Sequence, residues 1–313
     1  MDITEQVPEL IQVIESGNLT RLKELLELGA DPNSEFEGVL PLQRTVLQIP
    51  NNKEMTSLLI EYGANVHAQD EHEYSIFHNA LAGHGYKRKC TRGVSAPLEL
   101  VMLLLKHKIN VNHIPYNSHT VLDCAVSCMK DKKITLALLD AGACTFVYRK
   151  DHPFVAAADR FDISVIKRMF ACGATLESTN ENTVYVRRTA LIAAAAWGKL
   201  KTVQLLLKQG ASVHATTDDQ NTALHKASYE GNDAIMQLLL QAGAECNKQN
   251  DYGDTPLMEL LSNTNLSQDI CKVGSKLLIA YGADYKQLRN NKHQTAYEIA
   301  RLRGIDLDKL IQQ

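Results

Sequence analysis

The stretch from Thr222 to Leu260, TALHKASYEGNDAIMQLLLQAGAECNKQNDYGDTPLMEL, holds one structural unit and the start of the next. Thr222 stands where a helix begins. Its hydroxyl can accept a backbone N–H from the first turn, and His225, three residues on, can answer back to the cap in the manner of a capping box. Thr255-Pro256 repeats that start and places proline at the first helical position, where a missing N–H is harmless. Between the two starts, Leu238 to Leu240 supply the apolar side of a second helix. It stops at Gly243, a residue suited to the left-handed conformation of a C-terminal cap. The segment Asn250 to Asp254, NDYGD, has turn chemistry and predicts a projecting finger ahead of the next helix pair.

Working outward, the same apolar run ending in Gly-Ala recurs at Gly29-Ala30, Gly63-Ala64, Gly142-Ala143, Gly173-Ala174, Gly210-Ala211, Gly243-Ala244 and Gly282-Ala283, with Gly210 and Gly243 33 residues apart. The wide gap from Gly63 to Gly142 contains LLLKHKINVN, where Lys108 and Ile109 occupy the Gly-Ala positions. Helix starts keep step with these stops: LPLQRT at 40–45, SIFHNA at 75–80, TVLDCA at 120–125, HPFVAA at 152–157, TALIAA at 189–194, TALHKA at 222–227, TPLMEL at 255–260 and TAYEIA at 295–300. A fixed period of this length is the mark of a repeat architecture, in which one helix pair cannot bury its apolar face alone and stacks on its neighbours.

These motifs resemble the ankyrin repeat, whose TPLH-x-A start and Gly-Ala stop they reproduce along essentially the whole chain. The resemblance implies an all-α ankyrin-repeat solenoid of about nine helix-turn-helix repeats with finger loops. It is expected to form a single domain over 1–313, with capping repeats near 1–33 and 286–313. Three spacings are long, and the excess falls at 83–97, 178–188 and 262–274. The first and last are expected between the helices of a pair. The middle one enlarges a finger and carries Tyr185, Arg187 and Arg188.

In ankyrin proteins, partners are held on the finger tips and the first helices, so the resemblance implies a non-catalytic adaptor or scaffold that binds a protein on the concave face. Carried over position by position, the contact set is Tyr116, His119, Tyr148, Arg149, Asp159, Arg160, Tyr185, Arg188, Trp197, Asp218, Asp219, Tyr229, Glu230, Asp251, Tyr252 and Asp254. Six of these are aromatic, among them the chain's only tryptophan, although aromatics make up just 6% of the sequence. Tyrosine, tryptophan and arginine give large contact area with a polar handle and dominate interface hot spots. The competing reading leaves these positions half-exposed, with Trp197 packed on a neighbouring helix. Charge also segregates: Arg149, Lys150, Arg160, Arg187 and Arg188 precede Asp218, Asp219, Glu230, Asp251 and Asp254, which would orient a partner of complementary charge.

Composition and the remaining motifs narrow the other classes. A net charge of -3 gives no general attraction to nucleic acid. The basic loop Lys87, Arg88, Lys89 and Arg92 has fewer cations than the roughly 6–10 phosphate contacts of tight binding, so it reads as a solvated loop. No apolar run approaches the roughly 18 residues of a membrane span, and MDITEQVPELIQVIESGN is acidic where a signal peptide is basic. Seven scattered cysteines argue against a disulfide framework. A cytoplasmic monomer is expected.

No metal or cofactor is expected either. His113, His119, Cys124 and Cys128 lack a familiar zinc spacing, and His72 and His78 miss the HExxH spacing. HPFVAAADR, 152–160, resembles the Fic adenylyl-transfer motif only at His152, Pro153, Phe154 and Arg160, with Ala156 where the acid belongs. The alternative function is an enzyme with a Cys/His site near the 83–97 insertion, where Cys90 and His84 would sit beside a carboxylate. The irregular repeats, and the apolar Leu310-Ile311 near the end, are compatible with a resemblance to ankyrin effectors that intracellular bacteria deliver into host cytoplasm.

Overall fold

A computed structural model describes residues 3–46, 52–70, 73–82, 98–115, 119–144, 153–179 and 187–312. The described chain is helical, and its only extended pairing is three isolated bridges, Phe36 with Val39, Gln69 with Ser75 and Thr179 with Thr189. It divides into two compact units, Met1–Val147 and Tyr148–Gln313.

In the second unit the chain runs through the helix pairs Pro153–Arg160 and Ile163–Ala171, Ala190–Ala196 and Leu200–Lys208, Ala223–Tyr229 and Asp233–Gln241, Pro256–Ser262 and Gln268–Ala280, and Ala296–Leu302 and Leu307–Ile311. First helices pack on the first helices of the neighbouring pairs, and second helices on second helices, giving two layers with the core between them. Composition explains the arrangement. In Ala190–Ala196, ALIAAAA, every residue from Ala190 to Ala195 is buried. Its small side chains let a helix flanked on both sides approach its neighbours closely. The second helices are amphipathic, with Val203 and Leu206, then Ile235, Met236 and Leu239, turned fully inward. In the first unit the pairs are Ile3–Glu15 and Leu19–Glu27, Pro41–Thr45 and Asn52–Glu61, Ile76–Ala82 and Leu98–Lys106, and Val121–Asp123, continued by Cys124–Met129, with Lys132–Asp140.

Each Gly-Ala stop does what its chemistry predicts. At Gly243 φ is +90°, its N–H bonds to the carbonyl of Leu240, and the N–H of Ala244 reaches back to that of Leu239. These are the paired bonds of a Schellman cap, which satisfy carbonyls the helix leaves open. Where glycine is missing, another residue is forced into the same conformation. Lys108 has φ +51° and its N–H bonds to Leu105, as expected of a residue at the glycine position.

Two local departures follow from residue count. TVLDCA and its continuation carry one residue more before the left-handed position, Lys130 at φ +55°, than TALHKA carries before Gly231. The surplus is absorbed by widening Cys124–Met129 into a π-helical turn. The stretch 262–274, expected as a loop between helices, is a short turn followed by helix from Gln268 onward. Ser267 caps that helix by accepting the N–H of Ile270, and Arg303 pins the turn by donating to the carbonyls of Asn263 (2.7 Å), Leu261 (3.3 Å) and Leu266.

No helix among the described residues is long and apolar enough to cross a membrane. Among the described residues, Cys246 and Cys271 are free thiols.

Candidate functional site: fingers and first-helix ends of the second unit

The fingers are built from the residues that precede each first helix. In the fingers ending at Asn221, Asp254 and Gln294, a backbone pair closes the turn: Thr217 to Asn221 (2.9 Å), Asn250 to Asp254 (3.0 Å) and Asn290 to Gln294 (3.0 Å). Each turn needs one left-handed residue, supplied by Gln220, Gly253 and His293. Buried Asn250 shapes its own turn by accepting the N–H groups of Tyr252 (3.0 Å) and Asp254 (2.9 Å), and Asn290 does the same for Lys292 and Gln294.

Neighbouring fingers are tied together. The N–H of Asp251 donates to the carbonyl of Asp219 at 3.1 Å, and that of Asn291 to the carbonyl of Tyr252 at 3.0 Å. Side chains repeat the link, with Asn250 Nδ2 on Asn221 Oδ1 (3.0 Å) and Asn290 Nδ2 on Asp254 Oδ1 (2.8 Å). The result is a fixed strip of finger tips. Asparagine stands five residues before the capping threonine in both NDYGDT and NNKHQT, and that recurrence is the signal in the sequence that would have found Asn250 and Asn290.

Strip and helices are joined by His225. Its Nδ1 accepts from the N–H of Thr222 (3.2 Å) and lies 2.8 Å from the Thr222 hydroxyl, so Nε2 carries the proton and donates to the carbonyl of Asp254 at 3.1 Å. Burial pushes the imidazole down to about 4, which keeps it neutral in this arrangement. The first unit uses the same device: His78 Nδ1 lies 2.8 Å from Ser75 Oγ, and Nε2 lies 3.1 Å from the carbonyl of His119.

On this frame the expected contact residues divide into three groups. Trp197 (63% exposed), Tyr252 (59%) and Tyr229 (42%) present their rings to solvent, with the exposed Glu230 and Asp251 directly beside the two tyrosines in sequence and Asp219 half-buried on the neighbouring finger. Trp197 therefore does not pack away against a neighbouring helix. It caps the C-terminal end of Ala190–Ala196, the end at which Tyr229 closes Ala223–Tyr229 on the adjacent first helix.

A second group serves the frame. Asp159 is buried and holds Arg188 at 2.8 Å and Arg160 at 3.4 Å, so it positions two guanidiniums instead of facing a partner. Asp254 is committed through its carbonyl to His225 and through its carboxylate to Asn290. Asp218 accepts the N–H of Arg187 at 3.1 Å, which joins the basic and acidic stretches. His119, in the first unit, is exposed and contributes its carbonyl. A third group, Tyr116, Tyr148, Arg149 and Tyr185, lies outside the described residues, as do Lys150, His152 and the 83–97 insertion with His84 and Cys90.

Of the enlarged 178–188 finger, the base is described. Thr179 and Thr189 form a bridge across it, and Arg187 Nε donates to Thr179 Oγ1 at 3.1 Å. Between this base and the next finger lies a polar cleft of about 440 Å³, lined by Glu177, Thr179, Arg187, Thr189, Thr217 and Asp218 among others. No group of three or more His, Cys, Asp or Glu side chains among the described residues is arranged to hold a metal ion.

The family model described as ankyrin repeats matches residues 154–250, in three copies. That span covers the helix pairs that carry Trp197, Tyr229 and Glu230 and runs up to the finger bearing Asp251 and Tyr252. With the Thr caps, Gly-Ala stops, stacked first helices and tied fingers in place around the match, the chain carries ankyrin repeats over residues 154–250.

Proposed function

We propose that this protein is a non-catalytic adaptor that holds a partner protein on the finger strip and first-helix ends of its second unit. Ankyrin repeats carry protein-interaction roles, and stacked repeats create extended binding surfaces. The observation that carries the assignment is Tyr252: 59% of it is exposed although its finger is tied to both neighbouring fingers. A large ring held open on a rigid frame loses little conformational freedom when a partner covers it. Trp197 and Tyr229 extend the same logic along the first helices, and Asp159 fixes Arg188 and Arg160 beside them.

Single substitutions Trp197→Ala and Tyr252→Ala test the reading. Each is expected to weaken capture of the partner by about tenfold or more, the effect of losing an aromatic anchor worth upward of about 1.4 kcal/mol. Full retention of capture by both variants, each folded as wild type, would overturn it.

A further inference from the structure

We infer that the partner segment is basic: an extended stretch of another protein with lysine or arginine two residues apart, laid across the fingers of Asp219 and Asp251. This rests on the proposed binding face and adds the chemistry of its occupant.

Three observations carry it. The carboxylates of Asp219, Glu230 and Asp251 have no cation placed against them among the described residues. The neighbouring lysine on the first helix, Lys226, acts instead on Glu259, whose carboxyl is pushed up by burial and drawn back by that lysine. Second, two of these acids adjoin an exposed ring, Glu230 beside Tyr229 and Asp251 beside Tyr252. A guanidinium or ammonium can lie over such a ring while it bonds to the adjacent carboxylate, combining cation–π attraction with a charge-assisted hydrogen bond. Third, the spacing is fixed. The hydrogen bond from the N–H of Asp251 to the carbonyl of Asp219 sets the two fingers side by side. A backbone hydrogen bond of this kind holds the two residues roughly 5–6 Å apart at Cα, and alternate side chains of an extended segment share one face about 6.6 Å apart, so residues two apart in such a segment reach the two fingers together.

The test uses two synthetic peptides of about twelve residues, with arginine or with glutamate at every second position and serine and leucine between, titrated against the full chain by fluorescence anisotropy. The arginine peptide is expected to bind about tenfold or more tightly than the glutamate peptide. Its binding should weaken by a similar factor in Asp219→Lys/Asp251→Lys, and as salt rises from about 0.05 to 0.5 M. The milder Asp219→Asn/Asp251→Asn pair guards against misfolding and should give a smaller loss in the same direction. Equal affinity for both peptides, or binding indifferent to both pairs of substitutions, overturns the inference. An unbiased displayed peptide library separates the binding face from the charge of its occupant. Neutral or acidic binders that depend on Trp197, Tyr229 and Tyr252 would leave the binding face standing and refute the basic occupant. Binders that depend on none of these residues would refute both.

Discussion

Nε2 of His225 donates to the carbonyl oxygen of Asp254 at 3.1 Å, so a helix start in one repeat is bonded to the finger that opens the next. Nδ1, as acceptor for the N–H of Thr222, keeps the ring proton on Nε2 for this bond; protonation of Nδ1 would leave the bond to Asp254 in place but set a ring N–H against the N–H of Thr222. A buried histidine thus turns a local capping motif into an inter-repeat link.

That link makes stability depend on pH. The unfolded chain takes up this proton near the ordinary value of 6.5 and the folded chain only at about 4. Between those values the proton favours the unfolded state, so the contribution of His225 is complete above about 6.5 and is lost as pH falls toward 4, by about 3 kcal/mol in total. Urea unfolding at pH 7 and pH 4.5 measures it. His225→Asn should be less stable than wild type at pH 7 and should lose less than wild type between the two pH values. An identical loss in both would contradict the assignment.

Lys108 and Lys130 occupy left-handed positions where the sequence supplies no glycine. An L-residue there costs roughly 1–2 kcal/mol, so Lys108→Gly and Lys130→Gly should each raise stability, by about 1 kcal/mol after the greater flexibility of glycine in the unfolded chain is set against the gain. Thermal melting of each variant checks this, with an upward shift as the expected outcome.

Gly253 is in the opposite position. It has φ +73°, and a Cβ there would come within 2.9 Å of the backbone nitrogen of Asn291 on the next finger. Gly253→Ala should destabilise the chain by about 1–3 kcal/mol and, by displacing the adjacent Tyr252, weaken partner binding as well. Hydrogen exchange should report the damage at the Asn291 amide, which bonds to the Tyr252 carbonyl in the intact strip.

Asp159→Ala should leave Arg188 and Arg160 facing each other without their shared carboxylate. Because both arginines keep some contact with solvent, the expected loss is about 2 kcal/mol, below that of a fully buried pair. Exposure of the 187–189 segment, measured by proteolysis or hydrogen exchange, should rise together with the loss of stability.

The features legible in the sequence were those with local causes. Thr222 with His225 announced a capped helix, Gly243-Ala244 a Schellman stop, and NDYGD a finger, because each is decided by neighbours within a few residues. Lys108 was legible too, by its place in the period. Less legible were features decided at a distance. Asp159 reads as a surface acid until Arg188, 29 residues later, is folded onto it. Asn250 looks like an ordinary turn residue, yet it also reaches Asn221 on the preceding finger. The helix from Gln268 was hidden because SNTNLSQ reads as loop and the capping role of Ser267 shows only once the helix behind it is seen. For the candidate site, the contact positions taken from the register include the exposed Trp197, Tyr229 and Tyr252, but register cannot separate side chains turned to solvent from those, such as Asp254, that hold the frame.

The central claim is that partner binding resides on the aromatic side chains of the second unit's fingers and first-helix ends. Its most direct test is parallel capture from cell lysate by wild type and by Trp197→Ala/Tyr229→Ala/Tyr252→Ala, with circular dichroism and the thermal midpoint confirming that both are folded. Proteins retained by wild type should be reduced at least tenfold on the variant. The same proteins retained in the same amounts by a fully folded variant would contradict it.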